Sequence, residues 1–481
     1  MTGGMRLAPD AHARLRDEAE LVLAIDRAAA AAMLADAALL AGVSGQLNAG
    51  VPAARRAAAV VPDNGSPMIH CRVHALAGIA MALTGETDAA RESLDEAGRL
   101  LAEIHSLSPG TQSAVLGLHA RVCLGQERTL GTEAARLIEM ARQTDTFGLL
   151  PYLLGVSADA AYRLGDWEEA AGQLTSVDLA EEYGQRGILP FCLAVNGRLR
   201  AARGETAPAR VELERCIGIA REVGSVMVVD WGRAALGFLE LGIGRAEAAI
   251  AELEQVEASA AESGLEDPTV VPWAPDLVEA YVRSGRVADA ERAGASLDRR
   301  AQRAGVALPL AFAARCRGLV AEDGFEAHFD EALTQHDHAD APFETARTLL
   351  AYGSRLHRAR RRMDGRKRLR EALEIFEQLG ARPWIEHTNA ELRAAGAIRR
   401  EPIADPEELS AQEVRVAMAV AEGATNKQVA AGLFLSPKTI EFHLGRVYRK
   451  LGIHSRAELA TLVARGALGD ESDHSRRRRQ A

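Results

Sequence analysis

Apolar residues recur every three to four positions along most of the chain, a spacing typical of amphipathic helices. Between the apolar segments, glycines follow one another at intervals of 39 to 41 residues. These glycines occupy positions 45, 85, 125, 165, 204, 244, 285, 324 and 365. In five of the units an alanine lies five positions after the glycine, as Ala170 lies after Gly165. A period this regular indicates a structural repeat of about 40 residues.

Each repeat has the pattern of two helices joined at the glycine. The apolar segment 160–164 precedes Gly165, and the segment 166–174 after it resumes the helical spacing. A helix end that needs a left-handed residue favours glycine, because glycine adopts a positive φ without strain. One hairpin of helices cannot bury its own apolar face. The pattern therefore predicts hairpins stacked in an α-solenoid with a curved inner surface.

The glycine, the polar residue after it and the alanine five positions on resemble the tetratricopeptide repeat (TPR), although the period is longer than the usual TPR period. The resemblance implies an all-α fold in which residues 1–400 form a TPR-like α-solenoid. Solenoids hold a protein or a small ligand on the inner face. We therefore expect residues 1–400 to bind an effector, whose identity the helix-packing pattern does not reveal.

The chain changes character at residues 401–408. This segment contains two prolines and four acidic residues, a composition typical of a solvated linker. The residues after it predict a small domain at 409–466, and a basic flexible tail follows at 467–481. The helices expected in the domain are 410–422, 426–433, 437–451 and 456–465. The second and third have the spacing of a helix-turn-helix (HTH).

A capping residue announces each of these four helices, because its side-chain oxygen can accept from the backbone N–H groups of the first turn. Three of the starts are capping boxes, namely Ser410 with Glu413, Thr425 with Gln428 and Ser455 with Glu458. The fourth start is Ser436 followed by Pro437.

The third predicted helix has two distinct faces. Its apolar face is expected to enter the core of the domain and consists of Ile440, Leu444, Val447 and Leu451. An α-helix fits the major groove of B-DNA, so the outer face is expected to contact bases and the groove. The residues expected there are Lys438, Glu441, Phe442, Gly445, Arg446 and Arg449. Phosphate contacts are expected from Thr425, Lys427, Ser436, Thr439, His443 and Lys450.

Residues 409–459 resemble the C-terminal HTH of the LuxR family of bacterial transcription regulators. The resemblance rests on Glu413, on the segments 422–430 and 433–443, and on KLGIHSRAEL at 450–459. It implies that the third helix enters the major groove and that the fourth helix supports dimerisation. The residues that it assigns to dimerisation are Arg456, Leu459, Leu462 and Val463.

The same resemblance places Glu441, Phe442 and Gly445 against the bases. Many relatives carry a larger polar residue at the position of Gly445, so the base preference of this chain does not follow from the family. An interface contact for Phe442 and a solvated side chain for Glu441 remain alternatives.

Residues 346–396 resemble a LuxR subgroup of large ATP-binding regulators, the MalT-like proteins, which join an NTPase, a helical-repeat array and the HTH. The chain contains no G-x-x-x-x-G-K-[ST] segment and no Gly-Lys dipeptide. It therefore lacks the loop and lysine that bind nucleotide phosphates. The resemblance covers the array and the HTH, and it does not extend to control by ATP.

The charge is unevenly distributed over a chain whose net charge is −10. Residues 1–404 hold 45 basic and 57 acidic residues, whereas 409–466 hold 8 basic and 4 acidic ones. This imbalance favours nucleic-acid binding by the small module alone. The basic run Arg355–Arg370 either contacts DNA phosphates or is a solvated hairpin. The run Arg476–Arg479 likewise either adds phosphate contacts or is a solvated tail.

No motif in the sequence supports an enzyme, a cofactor site or a metal site. His70 and His74 have ligand spacing but no evident third ligand, and the segment 336–338 has the pattern of a polar loop. The five cysteines form no CxxC pair and are expected to be reduced core residues. Neither a membrane-length apolar stretch nor an apolar secretory signal is visible, so we expect a cytoplasmic protein.

The sequence thus predicts a DNA-binding transcription regulator. A helical-repeat sensor or interaction domain would control an HTH that binds double-stranded promoter DNA. We expect the HTH to act as a dimer, because one module offers few phosphate contacts. The alternative is a TPR-like interaction scaffold whose HTH serves mainly in dimerisation, an interpretation that Glu441 and Gly445 leave open.

Overall fold

The computed structural model of the protein describes residues 10–103, 115–396, 411–421, 423–432, 437–453 and 455–464. The chain divides into two compact units, Met1–Gly396 and Ala397–Ala481. The described residues form helices and turns, and none of them lies in a strand. The fold is therefore all-α, as predicted.

The first unit is a series of short antiparallel helices. Its described α-helices are α1 (Ala11–Val22), α2 (Arg27–Val43), α3 (Leu47–Val60), α4 (Pro67–Leu83), α5 (Thr87–Ala102), α6 (Glu127–Gln143), α7 (Leu150–Leu164), α8 (Trp167–Gly172), α9 (Ser176–Glu182), α10 (Leu189–Arg203), α11 (Thr206–Val223), α12 (Val226–Gly242), α13 (Ala246–Ser263), α14 (Ala274–Arg283), α15 (Val287–Ala304), α16 (Ala307–Val320), α17 (Phe325–His336), α18 (Pro342–Arg358), α19 (Arg362–Leu379) and α20 (Arg382–Ala394). Two 3₁₀ helices are Gly117–Leu124 and Phe147–Leu149.

These helices pair into hairpins at the predicted period, as α4 packs on α5, α10 on α11 and α12 on α13. Eight of the nine predicted glycines form the turn within a hairpin, with φ between 66° and 87°. They are Gly45, Gly85, Gly125, Gly165, Gly204, Gly244, Gly285 and Gly324. The alanines five positions later are fully buried between the helices, namely Ala90, Ala170, Ala209, Ala249 and Ala290. The TPR-like array is confirmed.

The ninth glycine, Gly365, does not form a turn, and that prediction is wrong. Gly365 lies inside α19, where a Cβ would come within 2.9 Å of the carbonyl oxygen of Gly353. Its role is to let α18 and α19 approach closely. The turn is formed by Arg360 instead, with φ of 62°. An arginine gives no sequence signal for a left-handed turn, so the spacing pointed to the nearest glycine.

A second series of left-handed turns, which the sequence analysis missed, joins six of the described hairpins to the next. Its members lie half a period after members of the first series and are Asp145, Gly184, Gly224, Gly264, Gly305 and Gly380. The chain therefore reverses direction twice in each repeat, once within the hairpin and once on the way to the next hairpin.

Successive turns of the superhelix formed by these hairpins touch one another. A Cβ on Gly165 would lie 2.6 Å from Cγ of Pro342, so this position needs glycine for space as well as for its φ of 87°. The backbone N–H of Glu266 donates to the carbonyl oxygen of Leu83 at 2.9 Å. The members of both pairs are separated in sequence by more than four repeats and fewer than five. One superhelical turn thus takes about four and a half hairpins.

The inner side of the superhelix is packed among the described residues and leaves no wide open channel there. Every residue of Leu150–Tyr162 and of Leu189–Leu199 is buried. Aromatic rings pack in the space between the inner helices, namely His119, Tyr152, Phe191 and Trp231 in one cluster and Tyr162, Trp167, Phe238, Phe343 and Trp384 in another. These inner helices are buried on all sides, so the face toward the axis is a second packing surface. A cavity of about 230 Å³ remains where two superhelical turns meet, between Arg91, Glu127 and Val306.

Charged side chains are buried in this core as a network. The guanidinium of Arg347 lies 2.6 Å from Oδ1 of Asp276 and 2.7 Å from Oε2 of Glu279. Arg315 donates to Oε2 of Glu344 at 2.8 Å. Burial raises the pKa of Glu344, but the charges of Arg347 and Arg315 outweigh it and lower that pKa to about 2. The network joins the inner helices α14, α16 and α18.

A buried carboxyl group elsewhere in the core should make the stability of this unit depend on pH. Burial raises the pKa of Asp230 to about 6, although Ser259 donates a hydrogen bond of 2.6 Å to it. The folded protein therefore holds a proton that the unfolded chain releases above its pKa of 3.8. Stability from this group is fully present below pH 3.8 and is lost as pH rises through about 6.

Asp230→Asn is expected to stabilise the unit by about 2 kcal/mol at pH 7.5 and to have little effect at pH 4, since asparagine is neutral at both. Thermal unfolding followed by tryptophan fluorescence at the two pH values measures this. Asp63→Asn, in an exposed loop, is the control and should change neither melting temperature. A gain for Asp230→Asn of equal size at both pH values would contradict the assignment.

All five cysteines are buried and free, which confirms the prediction that they are core residues. Burial raises the pKa of Cys192 to about 12. No helix in the described part of the chain is both long and apolar enough to span a membrane.

The second unit contains four described helices, α21 (Ala411–Ala421), α22 (Asn426–Gly432), α23 (Pro437–Leu451) and α24 (Arg456–Ala464). Their bounds match the predicted helices to within one residue. The predicted linker 401–408 and tail 467–481 lie outside the described residues, so the domain boundaries drawn there stay predictions.

Candidate nucleic-acid interface

The second helix of this domain, α22, begins at the predicted capping box. The Thr425 backbone N–H donates to Oε1 of Gln428 at 2.9 Å, and the Gln428 N–H donates to Oγ1 of Thr425 at 3.3 Å. At α24 the Glu458 N–H donates to Oγ of Ser455 at 3.2 Å. Ser410, the first residue of the remaining box, lies outside the described residues.

The predicted core face of α23 is confirmed. Ile440 and Val447 are fully buried, Leu444 is nearly so, and Leu451 packs against them partly buried. These side chains meet Val416 and other apolar residues of α21, and Val429 of α22 completes the same core. Tyr448 is partly buried against this core. The packing fixes which side of α23 is turned away from the domain.

The outer side of α23 is open at Gly445. This glycine is exposed, and a Cβ built on it would meet no atom of the described residues within 4 Å. The other five residues expected to contact bases lie on the same helix, Pro437–Leu451. Their side chains lie outside the described residues. These five are Lys438, Glu441, Phe442, Arg446 and Arg449. Their base contacts stay predictions.

The residues expected to contact phosphate differ in their exposure. Thr425 and Lys427 are exposed at the start of α22, where they can approach a phosphate backbone, and His443 is half-buried on α23. Ser436 and the side chain of Thr439 lie outside the described residues.

Lys450, also expected at phosphate, has an internal partner. Its Nζ lies 2.6 Å from Oε2 of Glu413, whose side chain is 2% exposed. Lys450 thus joins α23 to α21, and the phosphate contact expected of it stays a prediction. Glu413, expected to cap α21, contributes to this ion pair between two helices. The sequence analysis missed the pair because no short spacing connects its members.

The helix assigned to dimerisation, α24, also packs within its own domain. Leu459 is fully buried in the core of its own domain. Arg456 donates to the carbonyl oxygen of Val420 at 2.9 Å and to that of Ala424, and so satisfies one carbonyl group in the last turn of α21 and one just after it. Leu462 and Val463 are only partly buried. Dimerisation through this helix stays a prediction.

Comparison with known families identifies this domain. The family model described as bacterial regulatory proteins of the LuxR family matches residues 407–463. These residues form a LuxR-type helix-turn-helix domain. The match includes α21 to α24 and thus the open side of α23.

Relatives of the LuxR-type domain have names that concern regulation. An HTH-type transcriptional regulator of Mycobacterium tuberculosis is 42% identical over 102 residues, which are 20% of this chain and 12% of that protein. A nitrate/nitrite response regulator homologue of Haemophilus influenzae is 41% identical over 54 residues, 11% of this chain and 26% of that protein. The chain thus matches about an eighth of the length of the mycobacterial relative.

A solved structure also aligns with this protein over most of its length. It is that of a Rap protein complexed with competence and sporulation factor, with 11% identity and a TM-score of 0.49. The alignment covers 82% of this chain and 99% of the Rap chain.

The weaker metal candidates acquire ordinary partners. Nε2 of His70 lies 3.0 Å from the carbonyl oxygen of Pro62, and Cys71 is fully buried with its Sγ directed to the carbonyl oxygen of Ala97. Nε2 of His336 lies 2.9 Å from Oγ1 of Thr348. In the described part of the chain no three His, Cys, Asp or Glu side chains converge on a point where a metal ion could bind.

Proposed function

We propose that this protein is a transcription regulator that binds promoter DNA through its LuxR-type domain, under the control of its helical-repeat unit. The observation that carries this proposal is the match of the LuxR family to residues 407–463. The regulatory names of relatives of this chain support it. The exposure of Gly445 on the outer side of α23 supports it further, because a groove-binding helix must present one unobstructed face.

The geometry suggests how the domain would read DNA. The core fixes the axis of α23, and Gly445 lets the backbone of the helix approach base edges closely. Exposed Thr425 and Lys427 at the start of α22 would hold the adjoining phosphates. Two domains of a dimer would bind half-sites about one helical turn apart.

The helical-repeat unit would receive the signal. Its centre is packed, so an effector would bind at the outer surface or in a groove between superhelical turns. Control requires that the effector bind two arrangements of the protein with different affinities. We further propose that the protein acts in the cytoplasm, where promoter DNA of a bacterial regulator is found.

Gly445→Glu tests the proposal without disturbing the fold. Within the described part of the domain no atom lies within 4 Å of the new Cβ, and glycine is the poorer helix former, so the domain should be at least as stable as before. A carboxylate on the groove face should lower DNA affinity about 100-fold, because it meets base edges and phosphates at close range. Binding of the full chain is measured by fluorescence anisotropy on a duplex selected from random sequence.

Gly445→Ala is the matched control, since it adds only a methyl group and should change affinity much less. If Gly445→Glu binds the selected duplex as tightly as the natural chain, α23 does not enter the groove. If selection yields no preferred sequence at low salt, the interaction scaffold expected as the alternative replaces the regulator.

A further inference from the structure

The helical-repeat unit carries a compact cationic patch in an otherwise acidic body. It occupies the turn between α18 and α19 and the first half of α19. The patch consists of Arg358, Arg360, Arg362, Arg366, Lys367 and Arg370. All are exposed except Arg366, which is half-buried. Among the described residues, none of the six has a carboxylate oxygen within 4.0 Å.

Three neighbouring arginines in the same basic run contact carboxylates or an aromatic ring. Arg361 binds Glu326 at 2.9 Å and Asp364 at 2.7 Å. Arg368 binds Glu371 at 3.0 Å, and Arg355 stacks over the ring of Phe325. Asp364, the one acidic residue between positions 355 and 370, is therefore already used by Arg361.

Elsewhere on the unit, exposed arginines form ion pairs between neighbouring hairpins. Arg292 binds Glu257 at 3.1 Å, and Arg215 binds Glu181. Other exposed arginines, such as Arg142, Arg221 and Arg299, also have no carboxylate oxygen of the described residues within 4.0 Å, but they are well separated along the chain. The patch differs from them because it brings six such cations together within positions 358–370.

The residues of the patch are unfavourable for the stability of α19 and of the turn before it. Arg362, Arg366 and Arg370 follow one another at four-residue spacing, where like charges repel. Arg362 lies in the first turn of α19, where the helix dipole disfavours a cation. Arg360 has a positive φ of 62°, a conformation that the equivalent turns give to glycine. Local choices that oppose stability point to a function.

The spacing of the cations fits a phosphate backbone. Residues four apart advance about 6 Å along a helix. Every second phosphate of one DNA strand lies about 7 Å further along the duplex axis. The long arginine side chains can absorb the remaining difference.

We infer that these six cations form a second DNA-binding surface, which contacts the phosphate backbone of double-stranded DNA. The inference rests on the proposed function. It gives the helical-repeat unit a direct share in DNA affinity, with no share in base preference, because phosphates are the same at every sequence.

The test compares the natural full chain with the variant Arg362→Gln/Arg366→Gln/Arg370→Gln on selected and scrambled duplexes over a range of salt. We expect the slope of log affinity against log salt to decrease by about 2 to 3, since each phosphate contact contributes about 0.9. Affinity for both duplexes should fall by similar factors, and the ratio between them should not change. The melting temperature should rise or stay constant, because the substitutions relieve repulsion.

The control Arg186→Gln/Arg215→Gln/Arg292→Gln removes the same net charge from arginines that are paired with Glu222, Glu181 and Glu257. It should leave the salt slope unchanged. An equal loss of slope in both variants, or none in either, would overturn the inference. A lower melting temperature in the patch variant would also overturn it, since the cations would then be structural.

A pair of turn variants provides a second measurement. Arg360→Gly removes a cation and relieves a strained turn, so stability should rise while DNA affinity falls. Asp145→Gly relieves the equivalent strain at φ of 53° and should leave affinity unchanged. The proposed function alone is refuted if the natural chain shows no sequence preference but the patch variant still has a smaller salt slope.

The inference alone is refuted if the natural chain prefers the selected sequence and the patch variant keeps both this preference and the full salt slope.

Discussion

Arg347→Ala is expected to destabilise the helical-repeat unit by about 4 kcal/mol, the largest effect foreseen for a single substitution. The guanidinium is 2% exposed and lies against the carboxylates of Asp276, Glu279 and Glu344. Its removal leaves these buried negative charges with less compensation, and water cannot reach them to replace it. Guanidinium chloride unfolding followed by tryptophan fluorescence measures this loss, because all four tryptophans of the chain belong to the helical-repeat unit.

Arg292→Ala is the matched control, since it breaks an ion pair in which the arginine side chain is 55% exposed. It should cost at most about 1 kcal/mol. Equal losses for the two variants would show that the inner network adds no more than a surface pair.

Glu413→Ala is expected to destabilise the LuxR-type domain by about 3 kcal/mol and thereby to abolish DNA binding. The substitution removes the carboxylate that Lys450 contacts at 2.6 Å from a site where the lysine side chain is only 17% exposed. We place the effect at the lower end of the range for buried pairs, because this partial exposure allows some hydration. Hydrogen exchange of the full chain should show faster exchange in α21 and α23 and unchanged exchange in the helical-repeat unit.

The double variant Glu413→Leu/Lys450→Met separates loss of the pair from loss of packing. It replaces both charges by apolar groups of similar size and should restore much of the protection, since neither charge is left without its partner. Persistent loss of protection in the double variant would mean that the site needs the charges themselves.

The helical hairpins were predictable because their turns need glycine. A left-handed residue once in every repeat leaves a visible mark in the sequence, as at Gly165, and the buried alanine five positions on reinforces it. The signal failed where another residue took the turn. Arg360 has no preference for positive φ, and Gly365 met the spacing by serving a close helix contact instead.

The packed centre of the superhelix was not predictable from periodicity. A helical wheel separates an apolar face from a polar one, but the inner helices are apolar on nearly all sides, as Leu189–Leu199 shows. Such a segment does not reveal what lies on its second apolar face. The buried network around Arg347 was hidden for a related reason, since its members come from three helices that are well separated in sequence.

In the LuxR-type domain the helices and the core face were predictable, whereas the roles of individual polar residues were less so. Local capping signals fixed the helix starts at Thr425 and Ser455. Lys450 and Arg456 looked available for DNA or for a partner, because a sequence shows their charge but not their distance from Glu413 and from the end of α21.

The contacts between superhelical turns change how this array should fold and respond. In an open repeat protein, stability is nearly a sum over neighbouring units, and units can be deleted one at a time. Here the chain gains the contact between Leu83 and Glu266 only after closing a loop that spans more than four repeats, which slows folding and ties early hairpins to late ones. Truncation from either end should therefore lower the stability of the opposite half. A ligand bound where two superhelical turns meet would change the stability of the whole array.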